Sequence, residues 1–381
     1  MALIASGIQK SFAGTSVLKD ASLSIGDGSF LTIVGPNGSG KTTLLRILAG
    51  IETPDCGTVE CVGDIDVVRR PVHWMMTPYT LDPQRTVRHN LSVPLRQRDL
   101  SWFQKLPAIG APFATELLAE ISDSAQRTAV ALNIEELLDR MPDQLSGGQA
   151  QRVAIGQAVT LNATAFLFDE PYAGLDATSR ALLRAELFEL HRMLGATFIY
   201  ATGDPEEAMK MPDTIAVMLD GRVVQIGPPD AVYDDPDSLE VARFIGSPKI
   251  NLLPGELSAD GYLSLFGQVL ARYRVSFAKP VTVGIRPEAI VLGAPSEASL
   301  AGVRIDCDSG TAGYLSFDVA GHRLCVVAPS HPIGDKVSLH VNPPSILLFD
   351  ADGARLRLPM LQMAKPDTHR ARAVSHDYSF R

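Results

Sequence analysis

FLTIVGPNGSGKTTLLRILAG, residues 30–50, decides how this chain folds. Phe30–Val34 is a short apolar run that ends at Gly35, and such a run predicts a strand buried on both faces. Thr43–Ala49 has helical spacing and is stopped by Gly50 and the later Pro54. Between strand and helix, Gly35-Pro36-Asn37-Gly38-Ser39-Gly40-Lys41-Thr42 fits GxxxxGK[ST]. Its glycines let the backbone curl so that N–H groups point at phosphates, and the following helix presents its N-terminus to the anion. In that reading Lys41 reaches the β- and γ-phosphates and the Thr42 hydroxyl ligates Mg²⁺. The strand–loop–helix context separates this match from a Gly-rich turn.

Two further runs belong to the same layer. Ala165–Phe168 and Thr197–Ala201 predict buried strands, and Ala181–Leu194 predicts a helix ending at Gly195. The first of these strands runs into Asp169 and Glu170. An acid at the carboxyl edge of a parallel sheet can hold Mg²⁺ through water, and its neighbour can polarise an attacking water. Two solvated acids alone would carry little weight; behind a phosphate loop they point to a nucleoside triphosphatase.

Composition sets the outer limits. A chain of 381 residues is too long for one ordinary core and suits two domains. Residues 1–235 read as an α/β domain, with a helical subdomain over about 88–157. From 236 to about 358, short β-rich runs (Val281–Ile285, Val303–Cys307, Leu324–Val327) alternate with Gly, Pro and Asp turns and predict a small all-β domain, a barrel being one form of it. Residues 359–381 read as a loose polar tail. The net charge of −9 argues against general binding to nucleic acid or anionic lipid. Cys56, Cys61, Cys307 and Cys325 form no CxxC pair and read as indifferent thiols in a reducing compartment. The N-terminal stretch lacks a signal-peptide core, and no window approaches the ~18–20 apolar residues of a membrane span. The expectation is a cytosolic protein that does not cross a membrane, with docking onto a membrane protein left open.

Upstream of the acid-bearing strand stands Leu145-Ser146-Gly147-Gly148-Gln149. By itself it reads equally well as a turn with a helix N-cap or as a second anion-binding surface. The order phosphate loop, LSGGQ, FLFDE decides between them, because it resembles the ATP-binding subunits of ABC transporters. The resemblance covers about residues 3–358. It implies a P-loop NTPase domain with a helical subdomain, ATP and Mg²⁺ as ligands, and LSGGQ gripping the γ-phosphate of ATP held by the other subunit of a head-to-tail dimer. It further implies that Gly35–Lys41, Thr42 and Thr43 bind ATP, that Thr42 and Asp169 hold the metal, and that Glu170 is catalytic. Asp176, in Ala173–Asp176, takes the D-loop place at the dimer interface. Phe12 takes the place of the aromatic that stacks on adenine, though a lone Phe is equally a core residue.

Ala242–Gly255 (ARFIGSPKINLLPG), Val283–Glu288 (VGIRPE), Gln225–Gly227 and Val232-Tyr233 resemble the linker and accessory β-domain of carbohydrate-uptake importer ATPases, the maltose and glycerol-3-phosphate type. In that group the β-domain is an oligonucleotide/oligosaccharide-like barrel (TOBE) that stabilises the dimer and can receive regulatory signals. The implied partners are two membrane permease subunits, an external solute-binding protein and a second ATPase subunit, with no nucleic acid. The implied location is the cytoplasmic face of the inner membrane.

The chain departs from the group at two places. Anchoring on Pro83 and Thr86-Val87 puts Thr77 at the Q-loop Gln, and anchoring on Glu207-Ala208-Met209 puts Gly203 at the switch His. Thr is too short to span from metal to water as Gln does, and Gly has no side chain to offer the γ-phosphate. One lost transition-state hydrogen bond costs roughly 10²–10³ in rate, and two coupled losses do not simply add. Leu100–Phe113 reads as an inserted segment, either a partner surface or a loop that packs. These losses favour a heterodimer in which this chain binds ATP, hydrolyses it poorly, and lends its intact LSGGQ to a competent partner. An active homodimer is the alternative, since Glu170 is retained. A non-transport ABC protein is disfavoured by the single phosphate loop and the β-domain. A regulator acting through the β-domain can coexist with transport.

Overall fold

The computed structural model describes residues 2–62, 72–75, 81–99, 115–160, 163, 165–172, 174, 176–293, 300–305, 313–329 and 336–361. Thr77, Ala173, Leu175, the Leu100–Phe113 segment, Cys307 and residues 362–381 lie outside them. The chain divides into two compact units, residues 1–232 and 233–381.

The first unit runs β1 (Ala2–Phe12), β2 (Thr15–Ile25), β3 (Phe30–Val34), α1 (Lys41–Leu48), β4 (Cys56–Val62) and β5 (Val72–Met75). The helices α2 (Val87–Asp99), α3 (Thr115–Ala131) and α4 (Gly147–Thr160) follow. Next come β6 (Ala165–Asp169), α5 (Ala177–Leu194), β7 (Thr197–Thr202), α6 (Pro205–Ala208), β8 (Thr214–Leu219) and β9 (Arg222–Gly227). One sheet has the order β5-β6-β7-β3-β8-β9, parallel except for β9; a second, antiparallel one has the order β2-β1-β4. All five residues of β3 and all six of β7 are buried, as continuous apolar runs in a covered parallel sheet require. The expected α5 starts four residues earlier than its periodicity suggests, because Asp176 caps it.

The helices α2, α3 and α4 pack into a core with Phe166, Phe168 and Phe198. Asn90 is 1% exposed and was unassigned by the sequence. Its Oδ1 accepts from Asp82 N (2.7 Å) and its Nδ2 donates to the carbonyls of Asp82, Arg85 and Thr86. One buried amide thus fixes the entry into α2. Among the described residues, no helix is long and apolar enough to cross a membrane.

The helix α7 (Pro229–Asp234) leads into the second unit. There α8 (Leu239–Phe244) precedes β10 (Asn251–Leu257), β11 (Tyr262–Leu265), β12 (Gln268–Tyr273), β13 (Lys279–Ile285), β14 (Ile290–Gly293) and β15 (Leu300–Ile305). The chain finishes with β16 (Tyr314–Val319), β17 (His322–Val327), β18 (Lys336–Val341), β19 (Ile346–Phe349) and β20 (Met360–Leu361). Two antiparallel sheets, β19-β13-β10-β11-β12-β20 and β14-β18-β15-β16-β17, enclose one apolar core. Met360 and Leu361, read from the sequence as tail, pair with Tyr273 and Arg272 of β12. Ladder hydrogen bonds to an available edge outweigh the polar composition that follows them.

Arg286 of the VGIRPE run is the internal tie of this unit. It is 5% exposed and donates to the carbonyls of Ile245 (2.6 Å), Ala242 (3.2 Å) and Tyr233 (2.8 Å). Its guanidinium stacks 3.9 Å from the Tyr233 ring centroid, and the Tyr233 hydroxyl donates to Glu288. Residues 233–245 are thereby stapled to the end of β13 by a planar fork that lysine cannot reproduce. Arg286→Met, which takes the donor from two buried carbonyls and one part-buried one, is expected to destabilise this unit by about 2–4 kcal/mol. Differential scanning calorimetry of the full chain checks this, and Arg286→Lys should recover less than half of the loss.

Candidate functional site

Parallel pairing assembles the site. The register aligns Val34 with Thr202 and Asp169 with Ala201, so the segments leaving β3, β7 and β6 emerge side by side. Gly35 N donates to Thr202 O (3.3 Å) and Glu170 N to Ala201 O (2.9 Å). The carboxyl edge of the sheet therefore juxtaposes the phosphate loop, Gly203 and the acid pair, distant in sequence but adjacent in space.

A cleft of about 600 Å³ lies there, lined by Val17, Asn37, Gly38, Gly40, Lys41, Thr42, Thr43, Asp169 and Glu170. Gly40 caps α1 with φ +98°, and a Cβ there would stand 2.7 Å from Leu18 Cδ2. Only glycine meets both demands. Lys41 is 5% exposed; its Nζ donates to Gly35 O (2.8 Å) and Pro36 O (3.1 Å) and lies 3.6 Å from Glu170 Oε1. The lysine is held over the loop with its charge matched to Glu170, a posture from which it can exchange carbonyls for an anion. Glu170 itself has φ +47°, a left-handed backbone that costs a non-glycine residue of order 1–3 kcal/mol. The bond from its N–H to β7 offsets part of that strain.

Asp169 has its carboxyl pushed above the ordinary aspartate range, chiefly by burial, with the Thr42 hydroxyl pulling the other way and Glu170 adding to the rise. The sign follows from linkage: the folded state binds this proton more tightly than the unfolded chain does. Stability from this group is therefore lost as pH rises from the ordinary aspartate value through the raised one. Ionised Asp169 is a cost to the ligand-free fold at neutral pH. Asp169→Asn is expected to raise the thermal midpoint of the ligand-free chain at pH 7, and to diminish any further rise on adding Mg²⁺ with nucleotide. Thermal melts with and without MgATP at pH 5.5 and 7.5 measure both.

Gly203 follows β7 directly. A Cβ built there would stand 3.2 Å from Asn37 Oδ1 and 3.5 Å from Glu170 Oε1, in backbone outside the left-handed region. The next residues are held firmly. Asp204 caps α6, accepting from Glu206 N (2.9 Å), and pairs with Arg180 of α5 at 3.3 Å. Glu207, 8% exposed, accepts from the Tyr200 hydroxyl (2.6 Å) and the Thr202 hydroxyl (2.7 Å). The sequence used Glu207 only to set a register; the structure makes it the anchor of the loop that carries Gly203.

Leu145–Gln149 do not line the cleft. Ser146 and Gln149 form a reciprocal cap on α4: Gln149 N donates to Ser146 Oγ (3.3 Å) and Ser146 N to Gln149 Oε1 (3.0 Å). The Ser146 hydroxyl accepts here and keeps its own proton to donate. Ser146 and Gly147 are exposed, whereas Gly148 is buried against the Glu186 carboxylate, where a Cβ would collide with it. Asp176 caps α5 by accepting from Thr178 N and Ser179 N, each at 3.0 Å. Phe12 ends β1, is 44% exposed and belongs to no core cluster among the described residues; it lies beside the Ala13-Gly14 turn that leads to Val17 of the cleft.

A phosphate loop feeding a parallel sheet, an acid pair on the neighbouring strand, and a helical insertion opening on a capped LSGGQ helix define a nucleotide-binding domain of the ATP-binding-cassette class. Residues 18–173 match the ABC transporter family and residues 246–290 the MalK OB fold domain. The lactose transport ATP-binding protein LacK of Rhizobium radiobacter is 36% identical over 371 residues, 92% of this chain and 98% of that one. The sn-glycerol-3-phosphate import ATP-binding protein UgpC of Jannaschia sp. is 37% identical over 90% of this chain and 95% of its own length. The trehalose import ATP-binding protein SugC of Mycobacterium tuberculosis is 40% identical over 74% of this chain and 71% of its own. Among solved structures, cbiO1 of Clostridium perfringens, part of the ABC transporter complex cbiONQ, matches with TM-score 0.50 and 27% identity over 61% of this chain and 90% of that one. The chain belongs to the ATP-binding proteins of ABC transporters, in the branch that carries a MalK-type OB fold behind the ATPase domain.

Proposed function

We propose that this chain energises an ABC importer for a sugar, polyol or glycerol-3-phosphate-like solute, and that its own hydrolytic site is weakened. The solute class rests on the names of the relatives, which transport lactose, trehalose and glycerol-3-phosphate. The weakening rests on one observation: Gly203, adjacent to Glu170 at the sheet edge, offers no side chain to the cleft. Lys41, the loop amides and Thr42 bind the triphosphate, and Phe12 receives the base. Thr42 and Asp169, joined through a hydroxyl–carboxylate hydrogen bond, form the oxygen donor set that suits Mg²⁺. Such a cation neutralises phosphate charge when bound. Glu170 orients the attacking water, and the exposed Ser146 hydroxyl and Gly147 amide offer donors to the nucleotide of a second subunit.

In this reading the partner is a second ATPase subunit with an intact switch residue. The pair sits on two permease subunits at the cytoplasmic face of the membrane, fed by an external solute-binding protein. The β-domain stabilises the dimer and is open to regulatory input; no nucleic acid takes part. Retention of Lys41 and Glu170 favours the second reading, an active homodimer. Mg²⁺-ATPase assays of the purified full chain separate the two. Slow turnover alone with rapid turnover beside a second ATPase subunit supports the heterodimer, and robust turnover alone that Glu170→Gln abolishes overturns it. Failure to co-purify with any integral membrane subunit would overturn the transport role itself.

A further inference from the structure

We propose that Lys10 positions the Phe12 ring for nucleobase binding, tying it to the phosphate loop through the segment that follows α1; this rests on Phe12 being the base platform. Lys10 and Phe12 are two residues apart on β1, where alternate side chains share a face. The Lys10 ammonium stands 5.3 Å from the Phe12 ring centroid, within cation–π reach. It is not a loose surface charge. Its Nζ donates to Thr53 O at 2.7 Å and pairs with Glu52 at 2.9 Å and Asp55 at 3.3 Å, and its side chain is only 12% exposed.

The acceptors come from residues 52–55, just after α1, whose first turn carries Lys41 and Thr42. The same segment straps β1 on both sides of the lysine. Ser11 N donates to Asp55 Oδ2 (2.7 Å), and Asp55 N donates to Gln9 O (2.8 Å). Phe12 has no such support of its own: it is 44% exposed at a hairpin end and belongs to no apolar cluster among the described residues. An unsupported ring would sample several rotamers and lose entropy when a base stacks on it. The ammonium closes one face of the ring and leaves the other for the base. The distance from base platform to phosphate loop is then set by α1 and its following segment as well as by the β1–β2 hairpin.

The test compares two ligands of the full chain by calorimetry: ATP, and inorganic tripolyphosphate, which has the phosphates without the base. Phe12→Ala should weaken ATP about 10- to 100-fold and leave tripolyphosphate within twofold. Lys10→Met should weaken ATP about 3- to 10-fold with tripolyphosphate unchanged, and Lys10→Arg should restore ATP affinity. Glu52→Gln with Asp55→Asn, which keeps Lys10 but removes its charged anchors, should behave like Lys10→Met. The inference is overturned if Lys10→Met leaves ATP affinity intact while Phe12→Ala lowers it. It is equally overturned if Lys10→Met weakens both ligands alike, which marks a general disturbance of the fold. If Phe12→Ala has no effect on ATP, the platform reading falls and this inference with it.

Discussion

Gly203→His combined with Thr77→Gln is expected to raise ATP hydrolysis at this chain's own site by about 10²-fold, the size of one transition-state hydrogen bond regained. The backbone admits the change. Gly203 lies outside the left-handed region, and the one tight neighbour of a Cβ there is the Asn37 side-chain oxygen at 3.2 Å, which must give by a few tenths of an ångström, with Glu170 Oε1 next at 3.5 Å. The new imidazole therefore starts beside the acid that would orient water, on a loop already immobilised by Glu207 and Asp204. That immobility matters, because a donor on a loose loop would pay in entropy much of what its hydrogen bond gains. Thr77 lies outside the described residues, so its share is read as the difference between the double and the Gly203→His variant. Phosphate release is the measurement, with the chain alone and beside a partner ATPase subunit. An unchanged rate in both settings would remove the roles given to positions 77 and 203.

Lys41→Ala is expected to weaken ATP binding by about 10²-fold or more. Charge-assisted hydrogen bonds to phosphate oxygens are worth about 1.5–3 kcal/mol each, and 1.4 kcal/mol is tenfold in affinity. Without a nucleotide, the Nζ spends those bonds on Gly35 O and Pro36 O, 3.6 Å from Glu170. Removing it also leaves Glu170 without its counter-charge next to the site where a polyanion must enter, which adds repulsion to the lost attraction. Lys41→Arg should not rescue, since the buried position fits a compact ammonium rather than a planar fork. Calorimetric titration with MgATP reads the loss, and a dissociation constant within threefold of the parent value would contradict it. LSGGQ stands apart from the cleft, so under the proposed heterodimer Lys41→Ala should still support hydrolysis at the partner's site.

The strand–loop–helix at 30–48 was legible because each part is local. A run of five apolar residues, glycines at fixed offsets and a helical repeat need no distant contact to be recognised. The start of α5 was missed by four residues, because an N-cap is a side-chain hydrogen bond and leaves no periodicity before it. The tail was cut one strand too early, because β20 is two residues long and exists only through its pairing with β12.

By itself the sequence determined the nucleotide-binding class, the identity of the phosphate-loop residues and the absence of a side chain at position 203, since these depend on residue type and short spacing. Tertiary structure alone decided that Gly203 stands between Asn37 and Glu170, that Glu207 and Asn90 are buried anchors, that Arg286 staples residues 233–245 to the end of β13, and that Lys10 is tied to the segment behind α1. The contacts of Gly203, Arg286 and Lys10 join residues tens of positions apart, whereas Asn90 and Glu207 find partners within eight positions and become anchors only because the closed core buries them. Such pairings are set by which buried groups find partners when the core closes, and no local pattern encodes that.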